Sequence, residues 1–177
     1  MTATPEQPAA PTVKPAARPA RNTRLIVGVA VLAIVVVLAD QLSKAWAVAN
    51  LSEGEVIPVI GDFIKFQLTY NPGAAFSIGE GFTWVFAIIA AVAVVGIAWY
   101  SLRVTSVVQA IALGLLLGGA ITHLGDRLFR EPGFARGHVV DFINYGNFFI
   151  GNIADIALVV GATTIALYVA FTAKNAE

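Results

Sequence analysis

The chain lacks cysteine altogether and has only two histidines among its 177 residues. Without cysteine there is no disulfide framework, no thiolate metal site and no cysteine nucleophile. The sequence also lacks His-Glu-x-x-His, the pattern of zinc proteases, and Gly-x-Ser-x-Gly, the pattern of many serine hydrolases. We therefore expect neither a metal site nor a cofactor.

Charge is scarce as well. Charged residues make up 12% of the chain, hydrophobic residues make up 58%, and the formal net charge is zero. No polybasic surface is indicated, so no nucleic-acid partner is expected. A mean hydropathy of +0.78 is far from that of an average soluble domain. The composition predicts an integral membrane protein.

Residues 1–24 differ from the rest of the chain because they hold five of its eight prolines, mixed with alanine. Such a segment cannot bury apolar surface, so a disordered tail is expected. Its basic residues adjoin the first apolar run, which predicts a cytoplasmic N-terminus. These residues are Lys14, Arg18, Arg21 and Arg24.

Four apolar runs are long enough to cross a membrane. The fold class predicted is a mainly α integral membrane protein with four transmembrane helices. Separately, both termini are expected in the cytoplasm. The membrane domain covers residues 25–172, and a short cytoplasmic tail, 173–177, follows it. The expected spans are about 25–49, 84–102, 107–129 and 148–171.

The first run resembles a signal peptide because it has a basic start and an Ala-Trp-Ala near its end. It is too long for that role, and Asp40 and Lys44 interrupt it where a cleavage region is neutral. These two residues are four apart on one helical face, so they can pair. An ion pair at the membrane interface with no role in a site is the alternative.

The segment from Leu51 to Gly81 alternates β-branched and aromatic residues between glycine and proline turns. This pattern predicts short strands with turns, which lie outside the cytoplasm between the first and second spans. The turn at Asn71 and Gly73 suits close approach by an extended peptide backbone, although a plain turn would look the same. At the end of the third span, His123, Asp126 and Arg127 share one helical face, which must point into the protein.

Two aspartates in apolar surroundings, Asp141 and Asp155, form the central feature of the sequence. An ionisable residue within or beside a span is a functional candidate. Two such carboxylates close together share one proton, as in aspartic proteases. The alternative is a helix-capping Asp141, within a polar connection from Glu131 to Tyr145, and a tolerated Asp155. The predicted topology brings Asp141 and Asp155 to the outer edge, together with Asp40, Asn71 and Arg127.

Five ordered motifs carry a family resemblance. The chain resembles the bacterial lipoprotein signal peptidases (signal peptidase II). The motifs are Asp40-Gln41-x-x-Lys44, Asn71-x-Gly73-Ala74-Ala75-Phe76, Gly118-Gly119 with Asp126-Arg127, Val139-Val140-Asp141-Phe142 and Asn152-Ile153-Ala154-Asp155.

This resemblance implies an aspartic endopeptidase of the bacterial cytoplasmic membrane with its active site facing outward and a small extracytoplasmic β-cradle between helices 1 and 2. It would cut diacylglyceryl-modified prolipoproteins just before the lipidated cysteine. Asp141 and Asp155 would be the catalytic dyad. The residues expected to bind substrate are Asp40, Lys44, Asn71, Gly73, His123, Arg127 and Asn152.

The chain departs from the family pattern at three positions. His123 stands where asparagine is usual, Gly151 where a bulky apolar residue is usual, and Ile156 where serine is common. We expect His123 to replace asparagine as a hydrogen-bonding group; the alternative is that it only packs.

The partners implied are lipid-modified prolipoprotein signal peptides and membrane lipid, and a monomer is expected. Two other classes of protein remain open from the residues alone. A small transporter or proton-relay protein also uses buried carboxylates, but the inverted repeats of many transporters are not evident. A structural scaffold would leave the convergent polar residues unexplained.

Overall fold

The computed structural model describes residues 22–73 and 81–175, so most of the expected N-terminal tail lies outside the described part. In those ranges four helices are each long and apolar enough to cross a membrane, which confirms the predicted fold class. The helices are α1 (Thr23–Asn50), α2 (Thr83–Ser101), α3 (Val107–Phe129) and α4 (Ile153–Lys174). The strands are β1 (Ile57–Ile60), β2 (Ile64–Asn71), β3 (Val139–Tyr145) and β4 (Phe149–Gly151).

Helix α3 is the centre of the bundle and packs against the other three helices. Its glycines allow this because a side chain would not fit. A Cβ on Gly118 would lie 2.6 Å from the Cβ of Val36 in α1, and one on Gly119 would lie 2.7 Å from Cγ of Leu158 in α4. The two adjacent glycines therefore bring α1 and α4 close to opposite sides of the same turn.

The strands form one antiparallel sheet in the order β1-β2-β3-β4. The first two come from the segment between α1 and α2, as predicted. The other two were not predicted, because all of β3 lies in the stretch interpreted as a polar connection. Strand β3 is buried over most of its length and therefore shows no polar–apolar alternation. Its partner is distant in sequence: Ile64 of β2 lies opposite Tyr145 and Asn71 opposite Val139.

The fourth helix begins at Ile153, later than the predicted residue 148. The apolar residues Phe149–Gly151 pair with β3 instead of continuing the helix. Asn152 then caps the helix, because its side chain accepts a hydrogen bond from the backbone N–H of Asp155 at 3.0 Å.

The sheet lies against the C-terminal end of α1, which we call the sheet end of the bundle. A buried cluster joins them, formed by Ala47, Leu51, Leu68, Val140 and Phe142. Trp46 of α1 packs edge-on against Phe66, with ring centroids 5.1 Å apart. Strand β3 lies beside the start of α4 because it pairs with β4, which ends at Gly151, directly before the capping Asn152. The two aspartates are carried by β3 and α4.

Candidate active site

Asp141 lies in β3, one of the two central strands of the sheet, and is 4% exposed. Both of its oxygens accept hydrogen bonds from side-chain amides. Asn71 Nδ2 donates to Oδ2 at 3.1 Å, and Asn152 Nδ2 donates to Oδ1 at 2.6 Å. Because Asp141 belongs to a strand, it does not cap a helix, and the alternative that gave it only that role is wrong.

Asp155 lies in the first turn of α4, three residues after the capping Asn152. The two residues form a capping box: Asp155 Oδ2 accepts the backbone N–H of Asn152 at 2.9 Å. The other oxygen, Oδ1, lies 3.1 Å from Nε2 of His123 on α3. The side chain is 37% exposed, since it faces a cavity.

Asn152 therefore touches both carboxylates. Its side-chain amide holds Asp141, its backbone N–H holds Asp155, and its side-chain oxygen begins α4. The environments of the two acids are nevertheless unequal. Burial, followed by the negative charge of Asp155, raises the pKa of Asp141 to about 6, although the bonds from Asn71 and Asn152 act in the opposite direction.

A cavity of about 660 Å³ lies in front of the two aspartates. Its polar side chains belong to the sheet and to the start or end of a helix, whereas spanning helices and β3–β4 supply the apolar wall. The polar residues are Thr69, Asn71, His123, Arg127, Asp141 and Asp155. The wall is completed by Gly73, Phe86, Ala90, Val139, Phe148, Phe149, Ile150 and Val159.

Arg127 holds together the backbone on one side of this cavity. Its Nη1 donates to the carbonyl of Asn71 at 2.9 Å and to that of Gly137 at 3.1 Å, and its Nη2 donates to Gly73. The guanidinium also lies 5.7 Å from the ring centroid of Phe86. Arg127 thus fixes the end of β2, and with it the amide of Asn71 that contacts Asp141.

Asp40 and Lys44 were expected to bind substrate, but the structure places them outside the lining of the cavity. Lys44 Nζ lies 2.6 Å from Asp40 and 2.8 Å from Asp126, and these three side chains are at most 1% exposed. None of them lines the cavity. We call them the ionic cluster. Asp40 Oδ1 also accepts the backbone N–H of Ala154 at 2.9 Å, so the cluster supports the first turn of α4 from behind.

The structure brings five of the seven predicted substrate-binding residues to the two aspartates or their cavity: Asn71, Gly73, His123, Arg127 and Asn152. The shared helical face of His123, Asp126 and Arg127 is divided among three neighbours. His123 faces α4, Asp126 faces α1 and Arg127 faces the end of β2. The motif residues Ala74–Phe76, and Ser77 with them, lie outside the described residues.

Sequence reasoning missed the link from Lys44 to Asp126, which adds a second carboxylate to the predicted pair. It also missed the apolar wall of the cavity at Phe86, Ala90 and Val159. Neither feature could be found from a local sequence pattern, because both depend on which faces of the helices contact each other. The capping box was different: Asn152 followed three residues later by Asp155 is a readable helix start.

Comparison with known proteins identifies the family. A family model described as Signal peptidase (SPase) II matches residues 32–171. This chain belongs to the signal peptidase II family. The family match confirms the resemblance and favours a peptidase over a transporter.

Across residues 22–73 and 81–175, no group of three or more histidine, cysteine, aspartate or glutamate side chains is placed to hold a metal ion.

Two curated relatives show the extent of the similarity. The lipoprotein signal peptidase of Leifsonia xyli subsp. xyli (strain CTCB07) is 49% identical over 136 residues, which are 76% of this chain. That match spans 62% of the Leifsonia protein, less than two thirds of its length. The lipoprotein signal peptidase of Mycobacterium avium (strain 104) is 44% identical over 158 residues, which are 89% of this chain and 85% of that protein.

A solved structure supports the same assignment. It is described as a bacterial membrane enzyme determined by the in meso method at 2.3 Å resolution. The TM-score is 0.77 at 28% identity, over 86% of this chain and 93% of the other. Signal peptidase II membership therefore agrees with the fold as well as with the sequence.

Proposed function

We propose that this signal peptidase II family member is an aspartic endopeptidase that removes the signal peptide from diacylglyceryl-modified prolipoproteins. It cuts before the lipidated cysteine, at the outer face of the cytoplasmic membrane. Asp141 and Asp155, which we call the dyad, activate the attacking water. The observation that carries this proposal is that one residue, Asn152, holds both carboxylates at the wall of one cavity.

The different surroundings of the two aspartates suggest which of them donates a proton first and which acts as the base. Asp141, whose pKa is raised to about 6, carries the shared proton and donates it toward the scissile carbonyl oxygen. Asp155 takes a proton from the water as that water attacks the carbonyl carbon. In the second step Asp155 gives its proton to the leaving amine, and Asp141 recovers one from the tetrahedral intermediate.

The composition of the cavity supports a lipid-bearing peptide as substrate. Asn71, Gly73 and Arg127 line the side near the sheet, where a peptide backbone would find polar partners. Phe86 and Ala90 of α2 and Val159 of α4 line the other side from within spanning helices. An acyl chain there would replace water next to Asp141, which favours the protonated form of the carboxyl.

Asp40 and Lys44 enter this proposal as supporting residues that do not touch substrate. They are fully buried, and Asp40 contacts the backbone at Ala154, next to Asp155. We also propose that the catalytic domain is residues 25–172 and that it acts as a monomer.

The decisive experiment offers the purified protein a lipobox peptide with and without its diacylglyceryl group. We expect cleavage before the cysteine of the lipidated peptide and a much lower rate, by at least about tenfold, for the unmodified one. Binding energy from a remote group of the substrate is commonly used to lower the barrier to reaction. No cleavage of the lipidated peptide, in lipid or detergent, would overturn the proposed function.

The orientation in the membrane is tested separately, and the chain has no cysteine of its own to interfere. Single cysteines at Glu55 and Gly133 should react with a membrane-impermeant thiol reagent in intact cells. One at Arg103, between α2 and α3, should react only after the membrane is opened. The reverse pattern would place the dyad on the cytoplasmic side.

A further inference from the structure

Two residues from different elements meet the carboxylate of Asp155 on opposite oxygens. His123 Nε2 on α3 lies 3.1 Å from Oδ1. On the other side, a Cβ built on Gly151 would fall 2.8 Å from Oδ2, closer than real Cβ atoms come to a neighbour.

We propose that His123 and Gly151 form a matched pair of positioning residues that fix the carboxylate of Asp155, the imidazole by reaching it and the glycine by leaving it room. The proposal rests on the proposed function, in which Asp155 activates water. It gives His123 a role through Asp155 and not through direct contact with substrate.

The requirement for glycine at position 151 comes from Asp155 and not from the backbone. Gly151 ends strand β4, and its φ is outside the left-handed region that favours glycine. An alanine there is compatible with the backbone, but its methyl group would meet Asp155 Oδ2 and, at 3.3 Å, a ring carbon of Phe149. The carboxylate is therefore the group that has to move.

His123 decides whether that movement is possible. A methyl group at position 151 would press on Oδ2 of a carboxylate whose other oxygen, Oδ1, is already at hydrogen-bond distance from Nε2, so a displacement of the carboxylate disturbs that contact. An asparagine at position 123 also offers an N–H donor but has a shorter side chain, so it leaves space for the displacement. The cost of a side chain at position 151 should therefore depend on the residue at position 123.

A double-mutant cycle measures this dependence, with turnover of the lipidated lipobox peptide as the readout. Gly151→Ala alone should lower kcat tenfold or more and leave KM within about threefold, because the reacting group is displaced and the binding wall is not. His123→Asn alone should lower kcat by only a few-fold. In the His123→Asn background, Gly151→Ala should cost less than about threefold, so that the first change rescues the second.

Matched controls exist in the chain. Gly125→Ala makes the same chemical change in α3, where a Cβ would meet nothing within 4 Å, and it should leave kcat unchanged in both backgrounds. His138→Asn changes the other histidine, which does not line the cavity, and it should not rescue Gly151→Ala. Losses that multiply independently in the double variant would overturn the matched pair.

A second measurement, of stability, can be made even where a variant folds poorly. It also tests this inference separately from the proposed function. The midpoint of thermal unfolding in detergent, or the amount of folded protein where Gly151→Ala does not accumulate, is followed through the same cycle. Rescue by His123→Asn supports the pair, and equal losses in both backgrounds overturn it. If wild-type protein fails to cut the lipidated peptide but this rescue appears, the pair stands and the proposed function falls.

Discussion

Two groups of acids lie at the sheet end of the bundle, and their carboxylates are bound in opposite ways. Asp40 and Asp126 of the ionic cluster share the ammonium group of Lys44 at 2.6 and 2.8 Å, away from the cavity. The dyad is held by amides, a backbone N–H and an imidazole beside the cavity. Acids neutralised by a fixed cation have no variable proton, whereas acids held by amides can still exchange one. The comparison separates a structural role from a chemical one.

The strongest test of this comparison is to remove one acid of the dyad. Asp141→Asn or Asp155→Asn should lower kcat/KM by several orders of magnitude while the protein still inserts, because the amide cannot exchange the shared proton. Cleavage of the lipidated substrate is followed on a gel. Asp62→Asn, in the exposed turn between β1 and β2, is the matched control and should keep full activity. Substantial turnover by either dyad variant would contradict the aspartic mechanism.

The ionic cluster should respond through stability. Lys44→Met keeps most of the side-chain volume but leaves Asp40 buried without its cation, whereas Asp126 keeps Arg130 Nε at 2.7 Å; the expected cost is about 3–5 kcal/mol. Thermal unfolding in detergent measures it, and much of the variant should fail to accumulate. Lys65→Met is the control, since Lys65 pairs with the fully exposed Asp62 at 3.3 Å and the loss of such a pair should change stability little. A Lys44→Met protein as stable as wild type would remove the structural role of the cluster.

The dyad should show a stability cost that depends on pH. The folded-state pKa of Asp141, about 6, is above its ordinary value of 3.8, so the folded protein binds the proton more tightly than the unfolded chain does. Stability from this group is therefore present at low pH, declines as pH rises above about 4 and is lost above about 6. The difference is about 3 kcal/mol across that window.

The same measurement on Asp141→Asn should show a correspondingly smaller decline in unfolding midpoint from pH 4 to pH 8. Any constant effect of the substitution cancels, because each protein is compared with itself. An identical pH profile for the variant and wild type would show that ionised Asp141 has no such cost.

The smallest expected effects come from adding a methyl group to either side of α3. Gly118→Ala places a methyl group against Ala33 and Val36 of α1, so it should cost about 1–3 kcal/mol of stability with little change in kcat. Gly119→Ala presses on Ala154 and Leu158, next to Asp155, and should lower kcat as well. Gly96→Ala, where a Cβ would meet nothing within 4 Å, is the control for both. Equal effects on kcat at positions 118 and 119 would contradict this division.

The sequence was informative wherever the controlling interaction is local. Apolar length alone located all four spans, and the alternation in residues 63–70 indicated β2. The fourth helix start was misplaced because the apolar residues Phe149–Gly151 look the same in a strand as in a span. Strand β3 was missed for a related reason, since burial over most of its length removes the alternation that marks a strand.

The same distinction between local and long-range interactions applies to the candidate site. Asp141 and Asp155 could be singled out because a carboxylate in an apolar stretch is costly wherever it lies. The pairs Lys44–Asp126 and His123–Asp155 could not be assigned from spacing, since they depend on how α3 packs against α1 and α4. Asp40 and Lys44 were accordingly expected to bind substrate, although they lie behind the dyad.

Asn152 has a consequence for inhibitor resistance. The residue that aligns both aspartates also caps α4, so a substitution at Asn152 that weakened an inhibitor would also displace the dyad and cost about 1 kcal/mol at the start of the helix. The apolar wall has no such constraint, because Phe86, Ala90 and Val159 can change size while remaining hydrophobic. We therefore expect resistance to a compound that spans both parts to arise in the wall. A compound that draws most of its affinity from the dyad and Asn152 should be the harder one to escape.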